Sequence, residues 1–464
     1  MYVFLSRETT ALLSHPTAAW VKRAEALTGP AYKRLAQALE AAIADGELQA
    51  GDQIPAQREV ARLVGIDFTT VTRAYALARE RGLIEGTTGR GTFVRGRTGE
   101  DEAGLVDLSM NLPPQPQGLN LGALLRETTG AVLARTDPAV LMAYHPGVGS
   151  LAQRTAGAAW LAPTLSEVPP DRVLLCGGAQ TALSALLGLL AKPGEAIIVE
   201  PLTYPGLLTA AAQRGVRVVP CPIDTEGLEP QALARLCAEH RPRAICCTPT
   251  FQNPTTATMS LARREAIVAV ARAAGVPILE DDAYGLLPTA PLPALARLWP
   301  DGVFHIATTA KTLSPGLRIA FVVAPEDRVA ETAKALHTIA QMPAPLMAAV
   351  VTAWIREGDA LRVLDGVRRE AVERRRLAAE ILPAAVGGPE SLHVWLDLPA
   401  GWSSGRMLEA ARARGLSLVD AEAFRAPGVT REGVRLSLGA PSKATTLARA
   451  LREVAGLLKA APRP

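Results

Sequence analysis

Residues Thr308 to Arg318 read Thr-Thr-Ala-Lys-Thr-Leu-Ser-Pro-Gly-Leu-Arg and follow directly on the apolar run Val303 to Ala307. A short apolar run bounded by turn residues is the pattern of a buried strand, which leaves Lys311 at the strand's mouth. A lysine amine there can form a Schiff base with an aldehyde, while the Thr308 hydroxyl and the Arg318 guanidinium hold a phosphate.

Outward from that stretch, six more β-rich runs alternate with helical ones: Val173–Leu175, Ala196–Glu200, Val216–Val219, Ala244–Cys247, Val276–Glu280 and Ile319–Val323. Strand and helix alternating in this way predict an α/β fold with a seven-stranded, doubly wound, mostly parallel sheet. Ligands of such sheets bind beyond the carboxyl ends of the strands. The polar candidates fall there one after another.

After the first run comes Cys176-Gly177-Gly178-Ala179-Gln180 and then a helix. Small residues at a helix start expose backbone N–H groups to an anion, which suits a phosphate. Tyr204 follows the second run and offers a ring to stack on a flat cofactor. Asn253 follows the fourth and offers an amide donor. After the fifth, Leu279 to Leu287 (LEDDAYGLL) puts Asp281 and Tyr284 three residues apart. A carboxylate buried beside a pyridine nitrogen keeps that nitrogen protonated, and the charged ring then withdraws electrons.

Taken together, these residues resemble, in order and spacing, the fold-type I, pyridoxal-phosphate-dependent aminotransferases, over nearly all of residues 107–464. The resemblance implies that Lys311 carries pyridoxal 5'-phosphate as an aldimine, that Asp281 partners the pyridinium, and that Tyr284 and Asn253 donate to the ring oxygen. It makes Tyr204 the stacking ring and assigns the phosphate to Gly178, Ala179, Gln180, Thr308 and Arg318. Tyr144, in Tyr-His-Pro-Gly-Val-Gly-Ser, resembles a tyrosine that reaches the phosphate from a neighbouring subunit, which implies a homodimer. Arg435 resembles the arginine that clamps a substrate α-carboxylate. One departure is Thr256, where the family's Asn-Pro-Thr-Gly pattern has glycine.

Past Met347 the chain reads as helical through Leu382, and strand-like runs at Leu392–Leu398, Leu416–Val419 and Val434–Leu438 predict a smaller α+β part. The arginines 368, 369, 374, 375 and 376 are expected to form a solvated helix face, with an acidic partner surface as the alternative.

The first hundred residues read differently. Apolar positions at helical spacing predict a helix over Ala31–Ala44, a second from Pro55 to Val64, and a third capped by Asp67 and running to Arg81. Two short helices joined by a glycine-containing turn are a helix-turn-helix signature. Leu83 to Val94 then reads as two strands around a glycine-rich turn. The stretches GELQAGDQIPAQREVARLVG, TTVTRAY and GLIEGTTGRGTFV resemble, in order, the winged helix of GntR-type regulators. Position then nominates Thr69, Thr70 and Arg73 on the recognition helix, Arg58 on the helix before it, and Arg90-Gly91 at the wing tip as contacts to double-stranded DNA. Phe68 stands where GntR proteins often carry an arginine, and Ala56 where a serine cap is usual.

Charge agrees with this division. Residues 1–97 hold 13 Lys+Arg and 10 Asp+Glu, while the rest of the chain holds 36 and 35, so most of the net +4 sits in the first fifth. A basic excess there suits a polyanionic partner. Composition excludes other classes: no apolar run reaches the length of a membrane span, and Met1–Leu13 lacks the features of a signal peptide, so the expected location is cytoplasmic. The five cysteines, Cys176, Cys221, Cys237, Cys246 and Cys247, fall in no metal-binding spacing and read as reduced core thiols; no metal site is expected.

The expected organisation is a DNA-binding domain over 1–95, a linker over 96–105, and an aminotransferase-like domain over 106–464. Within it the large part spans about 145–345, and the small part combines the entry arm with about 346–464. This union resembles the MocR (GabR-like) family of bacterial transcription regulators, which implies a head-to-tail dimer on a DNA operator whose response to an amino-compound effector, or to the cofactor itself, runs through Lys311. The alternative is a working aminotransferase with an accessory DNA-binding domain; a DNA-binding protein with a vestigial pocket is a third reading.

Overall fold

The computed structural model describes residues 19–45, 47–48, 51–87, 91–95, 105–145 and 147–460. The expected linker and the wing-tip Arg90 therefore lie outside the described residues, as do the first 18. The described residues fall into two compact units, one of residues 19–95 with Asn120–Arg126, the other of 105–119 with the residues from Glu127 onward. Among the described residues no helix is long and apolar enough to cross a membrane.

The first unit has the expected three helices, Ala31–Ala44, Gln57–Val64 and Phe68–Glu80. Gly65 closes the second helix at φ 67, a conformation glycine adopts without a Cβ clash. Asp67 opens the third by accepting from Thr69 N at 2.7 Å, which satisfies one of the donors a helix start leaves free. Strands Ile84–Thr87 and Gly91–Val94 pair antiparallel, and Gln53–Ile54 joins the second of them. Leu35, Leu39, Val60, Val71, Tyr75, Ile84 and Val94 fill the core. The buried Tyr75 hydroxyl donates to Pro55 O at 2.7 Å, tying the recognition helix to the turn before the motif. Residues Ala19–Ala26 form a 3-10 helix whose Trp20 is buried in the same core.

The second unit is built on seven strands, here β1 Val173–Cys176, β2 Ala196–Val199, β3 Arg217–Pro220, β4 Ala244–Cys247, β5 Ile278–Asp281, β6 Val303–Thr308 and β7 Ala320–Val323. Their order is β1-β7-β6-β5-β4-β2-β3, and only β7 runs antiparallel to its neighbours. β1, β2, β4, β6 and β7 are buried along their whole length, as sheets covered on both faces require. Leu183, Leu186 and Leu187 of the helix Ala179–Leu190 pack on Leu174, Phe304, Ile306 and Val322. All five cysteines are buried and unpaired.

Three strands start later than expected, β3 by one residue at Arg217 rather than Val216. β5 begins at Ile278 rather than Val276, because Pro277 has no N–H to pair. β7 begins at Ala320 rather than Ile319, just after Arg318, whose φ of 52 breaks the extended chain. The smaller part holds a three-stranded sheet, His393–Asp397, Gly433–Ser437 and Val419–Asp420. Val106–Asp107 pairs in parallel with Leu416–Ser417.

The basic helix departs from expectation. It is not a uniformly solvated face: Arg374 is 2% exposed. Its guanidinium donates to Leu438 O and Pro441 O at 2.8 and 2.6 Å and pairs with Glu370. Arg368 donates to the carbonyls of Leu286, Leu287 and Pro288, and Arg375 to Gly387 O. These arginines satisfy carbonyls that loops and strand ends leave without partners; Arg369 and Arg376 alone of the five are exposed. Urea unfolding should separate the two kinds. Arg374→Ala should lose about 3 kcal/mol because it strands buried acceptors and Glu370, whereas Arg376→Ala, which removes only solvent-screened pairs, should leave the unfolding midpoint where it is in wild type.

Candidate active site and nucleic-acid interface

Lys311 follows β6 and is half-buried, with Nζ donating to Asn111 O at 2.5 Å. Burial, then the charge of Arg435, lowers its pKa to about 8, against a smaller opposing pull from Asp281. The amine is thus a free nucleophile at a pH well below that of an ordinary lysine.

Asp281 ends β5, the neighbour of β6, and its Oδ1 is buried without a partner. Burial, then the adjacent Asp282, pushes its pKa up to about 7, with Lys311 acting in the opposite sense. Glu280 takes another environment: its carboxylate accepts from Leu295 N, Ala296 N and His305 Nδ1. For His305, burial alone would lower the pKa; the carboxylates of Glu280 and then Asp282 outweigh it and hold the ring above its ordinary value. The expected acidic cluster therefore divides into the Glu280–His305 pair and two carboxyl groups, Asp281 and Asp282, each with one buried oxygen unpartnered, of which Asp281 is the one coupled to Lys311.

Register places the phosphate candidates together. Thr308, Ala320 and Cys176 lie in one row across β6, β7 and β1. Arg318 and the turn Gly177-Gly178 therefore leave the sheet at the same end. Arg318 Nη2 donates to Gly177 O at 3.2 Å. A Cβ on Gly178, at φ 106, would sit 2.6 Å from Arg318 Nη2, so glycine is what lets the guanidinium lie against the backbone. Ala179 and Gln180 head the helix that follows, with first-turn N–H groups. The Gln180 side chain is used otherwise, donating to Gly206 O at 3.0 Å. Thr308 Oγ1 accepts from Ala310 N, which leaves its hydrogen to donate.

Tyr204 precedes the helix Pro205–Gln213, half-buried and within the electrostatic reach of Asp281 and Arg318. Asn253 Oδ1 accepts from Arg435 Nη1 at 2.8 Å, so its amide N–H groups are the end left to donate. Arg435 also donates to Ser109 O and lies 5.0 Å from the Phe424 ring. Burial holds its pKa down at about 10. Tyr284 Oη accepts from Asn111 Nδ2 at 2.9 Å. Tyr144 stands apart, 83% exposed. Thr256 has a φ of 64, so the turn keeps the left-handed backbone that glycine would adopt freely.

Several residues in this site carry no sequence signal of their own. Asn111, His393, Glu200 and Gln252 are buried around it. Glu200 and His393 lie in runs that the sequence singles out as strands, and Asn111 in the entry arm that opens at Val106, but none of them stands out there as a site residue.

In the first unit Arg58, Thr69 and Arg73 are exposed and Thr70 is half-buried. Arg73 lies 4.4 Å over the Tyr32 ring, and Arg58 6.0 Å from the ring of the exposed Phe68. Thr69 Oγ1 donates to Asp67, so that hydroxyl is engaged in the cap. Gly91, at φ 110, opens the second wing strand.

The unsatisfied Asp281 oxygen, the amine of Lys311 and the Gly178–Arg318 cradle fit one group, pyridoxal 5'-phosphate: an acid for its ring nitrogen, an amine for its aldehyde, and donors for its phosphate. Fold and site thus define a pyridoxal-phosphate-binding, fold-type I domain carried with a winged helix. Residues 103–454 match the model for aminotransferase class I and II, and the chain belongs to that family. Residues 31–94 match the model for bacterial regulatory proteins of the gntR family, the pairing found in MocR (GabR-like) regulators. The chain is 29% identical over 451 residues to the uncharacterized HTH-type transcriptional regulator YdeF of Bacillus subtilis (strain 168), spanning 95% of this chain and 96% of that one. It is 27% identical to the probable rhizopine catabolism regulatory protein MocR of Rhizobium meliloti, over 75% and 76% of the two chains. Among solved structures it is similar to LysN, an α-aminoadipate aminotransferase of Thermus thermophilus complexed with N-(5'-phosphopyridoxyl)-L-leucine, at a TM-score of 0.69 and 26% identity, covering 83% and 99%.

The raised Asp281 pKa has a stability consequence. Between its ordinary value of 3.8 and about 7 the unfolded chain has lost this proton and the folded chain has kept it. Stability must fall as pH rises through that window. Measured on cofactor-free protein, wild type should lose a few kcal/mol relative to Asp281→Asn across it, at about 1.4 kcal/mol per unit of separation.

Proposed function

We propose that this protein is a DNA-binding transcription regulator that senses an amino-acid-like effector, or pyridoxal phosphate itself, at Lys311. The observation that carries the reading is Lys311 itself: a half-buried lysine of lowered pKa coupled to a carboxyl group with an unpartnered buried oxygen, in a chain that also bears a gntR-type module. When bound, the cofactor supplies an aldehyde for which Lys311 and an incoming amine compete, on a ring that withdraws electrons.

The chain's own residues do the rest. Asp281 holds a proton or a negative charge against the ring nitrogen, and Asn253 and Tyr284 donate to the ring oxygen. Tyr204 stacks on the ring, while Gly178, Ala179, Gln180, Thr308 and Arg318 hold the phosphate. Arg435, with its Nε buried and unpartnered, receives the effector carboxylate. The exposed Tyr144 reaches the phosphate of a neighbouring subunit in a head-to-tail homodimer. Thr69, Thr70, Arg73, Arg58, Arg90 and Gly91 contact the operator, and the protein acts in the cytoplasm. The effector shifts the arrangement of the two DNA modules only by binding one state more tightly.

A second reading, an aminotransferase with an accessory DNA module, is favoured by the completeness of the same residue set. A multiple-turnover assay on amino-acid and keto-acid panels separates them, since a regulator stops after at most a half-reaction. On fragments selected from genomic DNA, Lys311→Ala should abolish the effector-dependent change in affinity. Its basal affinity should stay within about threefold of wild type, because distant sites act nearly independently. An unchanged effector response would sink the mechanism. Arg73→Ala should instead weaken binding to every fragment and reduce the salt slope by about one, read by titrating salt in a fluorescence-anisotropy assay.

A further inference from the structure

Lys311, Tyr284 and His393 all meet one residue of the entry arm. Asn111 O accepts from Lys311 Nζ, and Asn111 Nδ2 lies 2.9 Å from Tyr284 Oη and 3.1 Å from His393 Nδ1. The other ring nitrogen, His393 Nε2, lies 3.4 Å from Gln252 O. We propose that His393 is a positioning residue: it fixes which way round the Asn111 amide sits, and so aims the Tyr284 hydroxyl into the pocket. The inference rests on the cofactor reading above.

A backbone carbonyl only accepts, so the His393 hydrogen sits on Nε2 and Nδ1 is left bare. A bare Nδ1 requires a donor, which turns Asn111 Nδ2 toward it. The second hydrogen of the same NH2 group then falls to Tyr284 Oη. Reversing the amide would set Oδ1 against the Nδ1 lone pair, losing that bond, and would turn the Tyr284 hydroxyl round to donate to Oδ1. Among the described residues nothing else opposes that reversal, since Asn111 Oδ1 is buried without a partner. With Tyr284 Oη accepting from Asn111, the phenol's own hydrogen must point elsewhere. Among the described residues no protein acceptor meets it, so it is available to an acceptor oxygen on the cofactor ring.

The charges around the chain keep its direction. Arg435 and Lys311 face His393, and burial followed by the Arg435 charge lowers its pKa to about 3. The imidazole stays neutral and its Nδ1 stays an acceptor. Arg435, Asp281 and Tyr204 face Tyr284, whose pKa burial raises, so the phenol keeps the hydrogen it has to donate. The two rings also pack, at 5.7 Å and 51°.

The test is a pH titration of the visible absorbance of full-length protein reconstituted with pyridoxal phosphate. A donor to the ring oxygen favours its charged form, so losing the aim raises the midpoint. His393→Leu should move it up by about one pH unit. His393→Asn, which can place an acceptor oxygen at the Nδ1 position, should bring it back to within about 0.3 unit. In a Tyr284→Phe background His393→Leu should add nothing, because the two then lie on one path. Should His393→Leu not fold, Asn111→Ala breaks the same link from the other side and should give the same shift. A loaded His393→Leu or Asn111→Ala protein with the wild-type midpoint overturns this proposal alone, as does a shift that survives in Tyr284→Phe. A wild-type protein that takes up no cofactor and has no visible band overturns the proposed function, and this inference with it.

Discussion

Three acids in a row, Glu280, Asp281 and Asp282, stand at the end of β5, the outer two buried and the middle one half-buried with one oxygen out of water. Desolvating a carboxylate costs several kcal/mol unless partners replace the lost water, and the three meet that demand differently. Glu280 finds two backbone N–H groups and His305. Asp282, with one oxygen unpartnered, leans on the same imidazole at 3.9 Å. Asp281 is left facing Lys311 with no hydrogen bond to its Oδ1. The chemistry of the pocket depends on that inequality. A fully satisfied Asp281 would be a structural residue; an unsatisfied one favours any bound group that brings a positive nitrogen to it.

Around that point the sheet acts as a ruler. Parallel strands in register deliver Asp281, Thr308 and Lys311 to one end, and the antiparallel β7 returns Arg318 to the turn after β1. The φ of 52 at Arg318 and the close approach to Gly178 are local strains of the kind that persist where surrounding structure over-determines the backbone. The pocket is thus assembled from the ends of β1, β5 and β6, with each side chain fixed by its strand's register rather than by a flexible loop.

Much of this was legible in the sequence, for physical reasons. Strands buried on both faces must be short, apolar and β-branched, so Ala244–Cys247 and Val303–Ala307 stood out. Asp67 and Gly65 marked helix ends because capping needs a side-chain acceptor and a left-handed residue. Legibility stopped where a residue's meaning depends on a distant partner. Nothing near Arg374 in the chain indicates that Leu438 and Pro441 need a donor, and the run of arginines around it reads as solvated. His393 and Asn111 lie 282 residues apart, and a lone histidine in an apolar strand gives no sign of which of its nitrogens is bare. The acidic triplet was readable as a cluster but not as a division between one satisfied carboxylate, Glu280, and two with an unpartnered oxygen.

One feature of the entry arm reaches beyond geometry. Arg435 donates to Ser109 O and Lys311 to Asn111 O, so two of the pocket's three cations are moored to the same three residues. Moorings on one short segment cannot be released independently. Whatever detaches the first lowers the cost of detaching the second, and the two cationic positions are thermodynamically linked without touching each other. The stiffness of Ser109-Met110-Asn111 is in this sense a coupling constant written into the backbone.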